Sequence, residues 1–364
     1  MLSKTFLAVV AAQLALGQTL TEVLTAQNSS LSTLISLLQG QPDLLSAVAG
    51  LSDITILAPS NEAFTTLLSD PAIAAAVQAD PGIVPALLSY HVVNGTYYAG
   101  DLTSLPGPAF VPTLLTNETF TTVEGGQRVE VRGSSDGVSI FSGGGAESKV
   151  TGADFNFTGG TLHIIDKVLT IPSNLTTVLT STPDLSSLTT AVTTTELVEP
   201  LEGIKQLTVF APLNTAFEAI AETAANLTVE QLTAVLGYHV VSDAVVYSSD
   251  IKDGAMVATL QGEEIKLTIR DGSVYVNEAK VVMPNVLVKN GVVHVIDGVL
   301  IPKNLASGGD STPSGTPSSS MPAPTMSGSG TPTPTVVSAG AAGMGVASVG
   351  VALAAGAFAV LLQI

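Results

Sequence analysis

Apolar and polar residues alternate along this chain with two different periods. Where apolar residues recur every three or four positions, the pattern predicts amphipathic helices. Two such segments lie early in the chain, one carrying Leu31, Leu34, Ile35, Leu37 and Leu38, and one running from Pro85 to His91. Helical segments therefore open the first half of the folded region.

Strict alternation with period two predicts strands further along. Glu264 to Ile269 alternates polar and apolar residues, Asp271-Gly272 supplies a turn, and Val274 to Val276 returns. Residues 128–140, with the turn Asp136-Gly137, show the same arrangement. Helices followed by antiparallel strands predict an α+β fold.

An internal repeat organises the chain, because three motifs occur twice in the same order. The first motif predicts a short strand that stops at a proline, followed by Asn61 or Asn214 as the N-cap of a helix. The second is a Tyr-His pair, and the third is an apolar run around an aspartate that predicts a buried strand pair. The paired segments are 55–64 with 208–217, 90–93 with 238–241, and 162–172 with 293–302.

These motifs, repeated in this order, resemble those of the fasciclin (FAS1) domain. The resemblance covers residues 19–172 and 174–303, nearly all of the predicted folded chain. It implies two tandem modules, each a β-sandwich-like wedge flanked by helices. It also implies a function in cell adhesion and in the organisation of the matrix or cell wall. With the two chain ends described next, the whole resembles fungal and plant fasciclin-like surface glycoproteins.

Composition predicts five regions. An apolar stretch after Lys4 predicts a signal peptide cleaved before Gln18, and the second module is followed by a stalk rich in Ser, Thr, Pro and Gly. No Lys or Arg follows the final apolar stretch, which favours a GPI signal, attached at Ser338 or Ser327, over a spanning helix. The predicted regions are 1–17 signal peptide, 18–172 module one, 173–303 module two, 304–340 stalk and 341–364 GPI-signal tail.

Charge and residue usage narrow the possible functions. The 364-residue chain has 12 Lys and Arg against 30 Asp and Glu, a net charge of -18, which disfavours nucleic-acid and anionic-lipid binding. It contains no cysteine, so disulfides and thiolate metal sites are excluded. Six Asn-x-Ser/Thr sequons predict glycosylation of an extracellular protein: Asn28, Asn94, Asn117, Asn156, Asn174 and Asn226.

The repeated motifs hold every histidine of the chain and two aspartates inside apolar runs: His91, His163, His239, His294, Asp166 and Asp297. One interpretation is a metal or acid–base site. The other is that each satisfies buried backbone groups, and equal placement in both copies favours it. No hydrolase elbow, zinc-protease or phosphate-loop motif occurs. We therefore predict no catalytic residues, no metal and no cofactor.

The resemblance also implies a partner-binding element nine residues before the last-motif histidine. This position holds Asp154-Phe155 in the first copy and Asn285-Val286 in the second, where the carboxylate is missing. The Tyr-His pairs, Tyr90-His91 and Tyr238-His239, are the remaining candidates for partner contact.

These observations predict a non-enzymatic surface glycoprotein that acts in adhesion or in organising the cell wall or matrix. Its expected partners are cell-surface or wall glycoproteins or polysaccharides, or a second copy of the chain. The alternative is a module that binds a small apolar molecule or a polysaccharide. An apolar pocket in one copy but not in the other would favour that alternative. A secreted hydrolase is the least favoured of the three.

Overall fold

The computed structural model describes residues 17–306 and contains two modules of the same design. The helices of module one are α1 (Leu20–Ala26), α2 (Asn28–Gln39), α3 (Pro42–Ala49), α4 (Asn61–Leu68), α5 (Pro71–Ala79), α6 (Ile83–Tyr90) and α7 (Ala99–Thr103). Its strands are β1 (Ile54–Pro59), β2 (Val92–Asn94), β3 (Ala109–Pro112), β4 (Arg128–Ser134), β5 (Gly137–Phe141), β6 (Glu147–Phe157) and β7 (Gly160–Ile165).

Module two repeats most of this order, but no helix corresponding to α7 lies between its second and third strands. Its helices are α8 (Leu175–Ser181), α9 (Ser186–Thr194), α10 (Val198–Gly203), α11 (Asn214–Ala219), α12 (Ala221–Ala224), α13 (Val229–Tyr238) and α14 (Lys303–Ala306). Its strands are β8 (Leu207–Pro212), β9 (Val240–Val241), β10 (Met256–Ala258), β11 (Glu264–Arg270), β12 (Ser273–Val276), β13 (Ala279–Val288) and β14 (Gly291–Ile296). The α+β class and the tandem modules are confirmed, as are the predicted helices and hairpins.

Each module contains a seven-stranded sheet with one parallel pair. The strand orders are β2-β1-β7-β6-β5-β4-β3 and β10-β11-β12-β13-β14-β8-β9, with β1 parallel to β7 and β8 parallel to β14. Strand β6 joins two halves of its sheet, since residues 147–149 pair with β5 and the remainder pairs with β7. Register irregularities along β6 mark the bend between these halves.

The parallel pairs are packed so closely that glycine is required at one position in each module. Gly160 and Gly291 begin β7 and β14, and a Cβ at either would collide with the carbonyl oxygen of Ile54 or Leu207. Strands β1, β7, β8 and β14 are buried along almost their whole length, as the apolar motifs predicted. In module one, one apolar core lies between the first helices and strands β1 and β7, and a second core includes the buried side chains of β4 and β5.

The predicted helix caps Asn61 and Asn214 are wrong. Ser60 caps α4, its hydroxyl accepting from the Ala63 N–H at 3.2 Å, and Asn61 is already helical. The Asn61 Oδ1 instead accepts the Thr33 N–H of α2 at 2.9 Å, and the Asn214 Oδ1 accepts the Ser187 N–H of α9 at the same distance. Each asparagine thus ties together two helices, a contact that local sequence does not reveal.

The two modules also contact each other directly. The Phe110 and Tyr247 rings stack with centroids 4.2 Å apart, and the Gln127 Nε2 donates to the Val288 carbonyl at 3.1 Å. The three-residue turn Gly143–Gly145 of module one packs against β13 of module two. Within residues 17–306, no helix has the length and apolarity needed to span a bilayer.

Candidate functional site

The two Tyr-His motifs form identical buried clamps. Leu169 N–H donates to the His91 Nε2 at 2.9 Å, which leaves the proton on Nδ1, and Nδ1–H donates to the Leu87 carbonyl at 2.7 Å. His239 repeats this with Leu300 N–H and the Val235 carbonyl, each at 2.8 Å. Each imidazole joins the end of a helix to the segment after the last strand.

The last-motif histidines form a second pair of clamps. The Asp154 N–H donates to the His163 Nδ1 at 3.2 Å, and the His163 Nε2–H donates to the Tyr97 carbonyl at 2.8 Å. His294 makes the same two bonds, accepting from the Asn285 N–H at 3.3 Å and donating to the Val246 carbonyl at 2.8 Å. The opposite ring nitrogen is therefore protonated here, compared with the first pair.

Burial favours the neutral form of His91, His239 and His294. It lowers the pKa of His91, His239 and His294 from 6.5 to about 4, against the opposing effect of the carbonyl that each ring contacts. A ring that is neutral at physiological pH and has both nitrogens engaged has no proton or lone pair left for a substrate. The arrangement matches the structural interpretation of the histidines.

Asp166 and Asp297 stand one residue beyond β7 and β14, rather than within those strands. Each carboxylate Oδ1 accepts a backbone N–H at 2.7 Å, from Lys149 for Asp166 and from Lys280 for Asp297. Each aspartate also donates its own N–H to the carbonyl of the same lysine at 3.0 Å. These paired bonds fasten the end of one strand to the start of its neighbour.

Asp154 and Asn285 occupy equivalent positions and have the same backbone conformation. Both residues adopt positive φ, at 60° and 67°, a region that Asp and Asn tolerate better than other side chains. The Asp154 Oδ1 accepts the Ala99 N–H at 2.9 Å, and the Asn285 Oδ1 accepts the Ser248 N–H at 3.0 Å. At this position the fold requires a side-chain oxygen that accepts a hydrogen bond, and it does not require a negative charge.

The surroundings of these two positions differ sharply. The Asp154 side chain is 41% exposed, whereas Asn285 is only 5% exposed. Module one approaches Asn285 through Glu130 of β4, while the Asn285 Nδ2 donates to the Ser248 hydroxyl of its own module at 2.8 Å. Glu130 is itself 1% exposed and pairs with Arg132 at 2.5 Å. Burial raises the pKa of Glu130, although Arg132 and Asn285 oppose that shift. Only the first copy presents this position to solvent.

Burial corrects the prediction that the Tyr-His pairs contact a partner. Tyr90 is 0% exposed and donates its hydroxyl to the Arg128 carbonyl at 2.9 Å, and Tyr238 is 2% exposed and donates to the Glu264 carbonyl at 3.1 Å. His91 and His239 are buried behind them. These four side chains lie inside the modules, where no partner reaches them.

Phe155 is half-buried and packs against the apolar core of module one. Asp154 is therefore the one predicted contact residue whose polar group is open to solvent, and its role in binding stays a prediction. All six sequon asparagines are exposed, so the fold leaves each open to a glycan. The predicted signal peptide, apart from Gly17, and both predicted lipid-attachment residues, Ser338 and Ser327, lie outside the described residues.

Two features of the molecule were missed from the sequence. One is the inter-module contact, in which the Thr122 N–H of module one donates to the Lys289 carbonyl of module two at 3.1 Å. The other is an apolar cavity of about 580 Å³ in module one. A signal for the cavity was present, since 26 positions separate Phe64 from Tyr90 but only 21 separate Phe217 from Tyr238. In the described part of the chain, no group of three His, Asp or Glu side chains is placed to hold a metal ion.

Comparisons with known proteins identify the repeat. The family model for the fasciclin domain matches residues 29–172 and 183–302. A fasciclin-like arabinogalactan protein of Arthroderma benhamiae is 30% identical over 75% of this chain and 64% of its own length. Another, from Cercospora beticola, is 31% identical over 80% of this chain and 79% of its own length.

Among solved structures, a FAS1 domain pair from the insect cell adhesion molecule fasciclin I is similar at 22% identity. It covers 77% of this chain and 99% of its own length, with a TM-score of 0.37. The sequence match covers 64% of the length of the Arthroderma benhamiae protein, so this chain spans less than two thirds of that relative. At family level, the sequence matches support an extracellular protein that works without catalysis.

Proposed function

This chain belongs to the fasciclin domain family, and from that premise we propose that it is a surface glycoprotein acting in adhesion or in organising the cell wall or matrix. The repeated histidines and aspartates hydrogen-bond the backbone of their own module, which supports a role without catalysis. In the described residues, each of the four imidazoles has both nitrogens engaged.

The observation that carries the proposal is the solvent-facing carboxylate of Asp154. The left-handed backbone and the His163 clamp fix its position, and its Oδ2 makes no hydrogen bond within residues 17–306. A fixed, open carboxylate can contact a cation or a basic group on a partner without first losing much conformational freedom. The proposed partners are surface or wall glycoproteins or polysaccharides, or a second copy of the chain.

We also propose that a GPI anchor, attached at Ser338 or Ser327, holds the protein outside the plasma membrane. Weak contacts multiplied over a crowded surface give useful avidity. Exposure of all six sequon asparagines supports a glycosylated, extracellular chain. Treatment of intact cells with phosphatidylinositol-specific phospholipase C should release the protein. Retention on the cells, with no inositol-containing anchor by mass spectrometry, would rule the anchor out.

Deletion of the gene tests the function itself. We expect weaker cell–cell and cell–substratum attachment, or a wall more sensitive to wall-binding dyes, with normal growth in suspension. Re-expression of the intact chain should restore both properties. If attachment and wall integrity are unchanged in the deletion strain, the proposal fails.

A further inference from the structure

We propose that the cavity of module one binds one long-chain amphipathic lipid, its acyl chain among the helices and its head group at Lys289. Nothing in the adhesion role requires this site. The cavity lies between α4, α5 and α6, and Phe120 and the segment after β7 close it on another side. Its apolar wall includes Phe64, Leu67, Val77, Val84, Leu87 and Phe120.

The volume is far larger than a packing defect. Protein interiors contain few voids larger than one water molecule. The cavity measures about 580 Å³, roughly four times the ~150 Å³ apolar cavity that holds one benzene molecule. It also falls within the ~300–1,000 Å³ usual for small-molecule sites. Space for roughly four benzene-sized groups corresponds to about two dozen carbon atoms, enough for a folded acyl chain of sixteen to eighteen carbons.

The origin of the cavity is local to the first copy. The chain advances 26 positions from Phe64 to Tyr90 but only 21 from Phe217 to Tyr238. The additional length forms α5, of nine residues, where module two has the four-residue α12. Helix α5 contributes Ile73, Ala76 and Val77 to the wall. An added helix carrying small side chains encloses space instead of filling it.

The wall specifies an apolar ligand. His91 is among the lining residues, but its Nδ1 and Nε2 are bonded to the Leu87 carbonyl and the Leu169 N–H. It therefore offers no hydrogen bond to a bound molecule. Polar lining groups come from Thr119, Thr170 and the junction of the two modules. A ligand with one long apolar body and one polar end matches this distribution.

Lys289 supplies the expected contact for that polar end. It lines the cavity from module two and is partly exposed. Over residues 17–306 its ammonium pairs with no carboxylate, whereas Lys205 pairs with Glu118 at 3.2 Å. An unpaired cation in a chain of net charge -18 favours an anionic head group such as a carboxylate. A neutral lipid would use the same cavity without this contact.

The test is titration of the full-length, delipidated protein with cis-parinarate, followed by competition with palmitate and with hexadecanol. We expect one saturable site, displaced by both competitors. Val84→Phe should weaken binding by at least roughly tenfold, because the added ring occupies the cavity. Leu232→Phe, at the equivalent position of module two, is the matched control and should bind like wild type. Val77→Phe, on α5, repeats the test if Val84→Phe fails to fold.

The Lys289→Gln variant separates the two head groups. It should weaken palmitate binding by roughly threefold, as expected for a partly exposed ion pair, and leave hexadecanol binding unchanged. Equal effects on both competitors would overturn the head-group assignment. Absence of saturable binding to wild type, or equal loss in Val84→Phe and Leu232→Phe with both variants folded, would overturn the site.

Discussion

Module one and module two share a set of internal hydrogen bonds, but they differ in the exposure of one position and in the presence of one cavity. The histidine clamps, the strand-end aspartates and the two-helix asparagines occur in both with nearly the same distances. Asp154 is 41% exposed where its counterpart Asn285 is 5% exposed. The five additional positions between Phe64 and Tyr90 enclose a cavity in module one.

This contrast separates residues that build the module from residues that are free to act. A feature present in both copies at the same backbone position is explained by the fold alone, as the histidines are. A feature present in one copy, such as the open carboxylate or the cavity, needs another explanation. The second module thus serves as an internal control for the first. Four predictions test which features the two modules share and which they do not.

Acid should produce the largest loss of stability. The folded pKa of His91, His239 and His294 is lowered to about 4, so below about 6.5 the unfolded chain binds more protons than the folded one. Stability contributed by these groups is complete above pH 6.5 and is lost as the pH falls toward 4. Each group should lower the unfolding free energy by about 1.4 kcal/mol per pH unit in that window.

Titration of the imidazole resonances by NMR measures the pKa values of the folded protein. Denaturant unfolding at the same pH values measures the unfolding free energy. We expect the three rings to stay neutral at pH 5.5 while stability is already falling. Ring pKa values near 6.5 in the folded protein, or stability independent of pH across the window, would contradict the clamp description.

Removing the imidazole should cost the same in either module. In His91→Ala and His239→Ala a buried N–H and a buried carbonyl lose their partners, and we expect about 3 kcal/mol in each. Equilibrium unfolding in guanidinium chloride measures the loss of stability in each of the two variants. Costs that differ by more than about 2 kcal/mol would show that the two clamps are not equivalent.

Placing a carboxylate at the covered position should cost less than losing a clamp. Asn285→Asp puts a second carboxylate beside buried Glu130, and we expect about 2 kcal/mol of destabilisation at neutral pH. Protonation should relieve part of the cost near pH 5. A neutral effect would mean that module one does not cover this position in solution.

Breaking the ring stack between modules should have the smallest effect of the four. Phe110→Ala removes the partly buried ring that stacks on Tyr247, 4.2 Å between centroids. We expect about 1.5 kcal/mol and a separation of the two unfolding transitions in calorimetry. Tyr275→Ala, which removes a ring under Arg270 inside module two, is the control and should shift only one transition.

Sequence reasoning was sufficient for the repeat because each motif is a local pattern. The strands ending at Pro59 and Pro212, and the hairpin around Asp271-Gly272, follow from alternation and turn residues. The structural role of His163 followed from its equivalence to His294. These features can be predicted from residues that are neighbours along the chain, or from comparison with the second copy of the motif.

Other features depend on which distant segments meet. Asn61 looked like a helix cap because only its own helix is visible locally, yet its partner Thr33 lies 28 positions earlier. The burial of Tyr90 and Tyr238 depends on strands β4 and β11, and the cover over Asn285 comes from the first module. Exposure, on which every binding prediction rests, is set by these long-range contacts.

Attachment of cells carrying Asp154→Asn tests the central claim most directly. Asparagine is the residue of the second copy, so it keeps the Ala99 contact and removes only the charge, and unfolding should change by less than about 0.5 kcal/mol. The matched control is Asp136→Asn, an exposed aspartate in the β4–β5 turn. We predict that Asp154→Asn reduces attachment nearly to the level of the deletion strain while Asp136→Asn does not. Wild-type attachment by folded, surface-displayed Asp154→Asn protein would contradict the account.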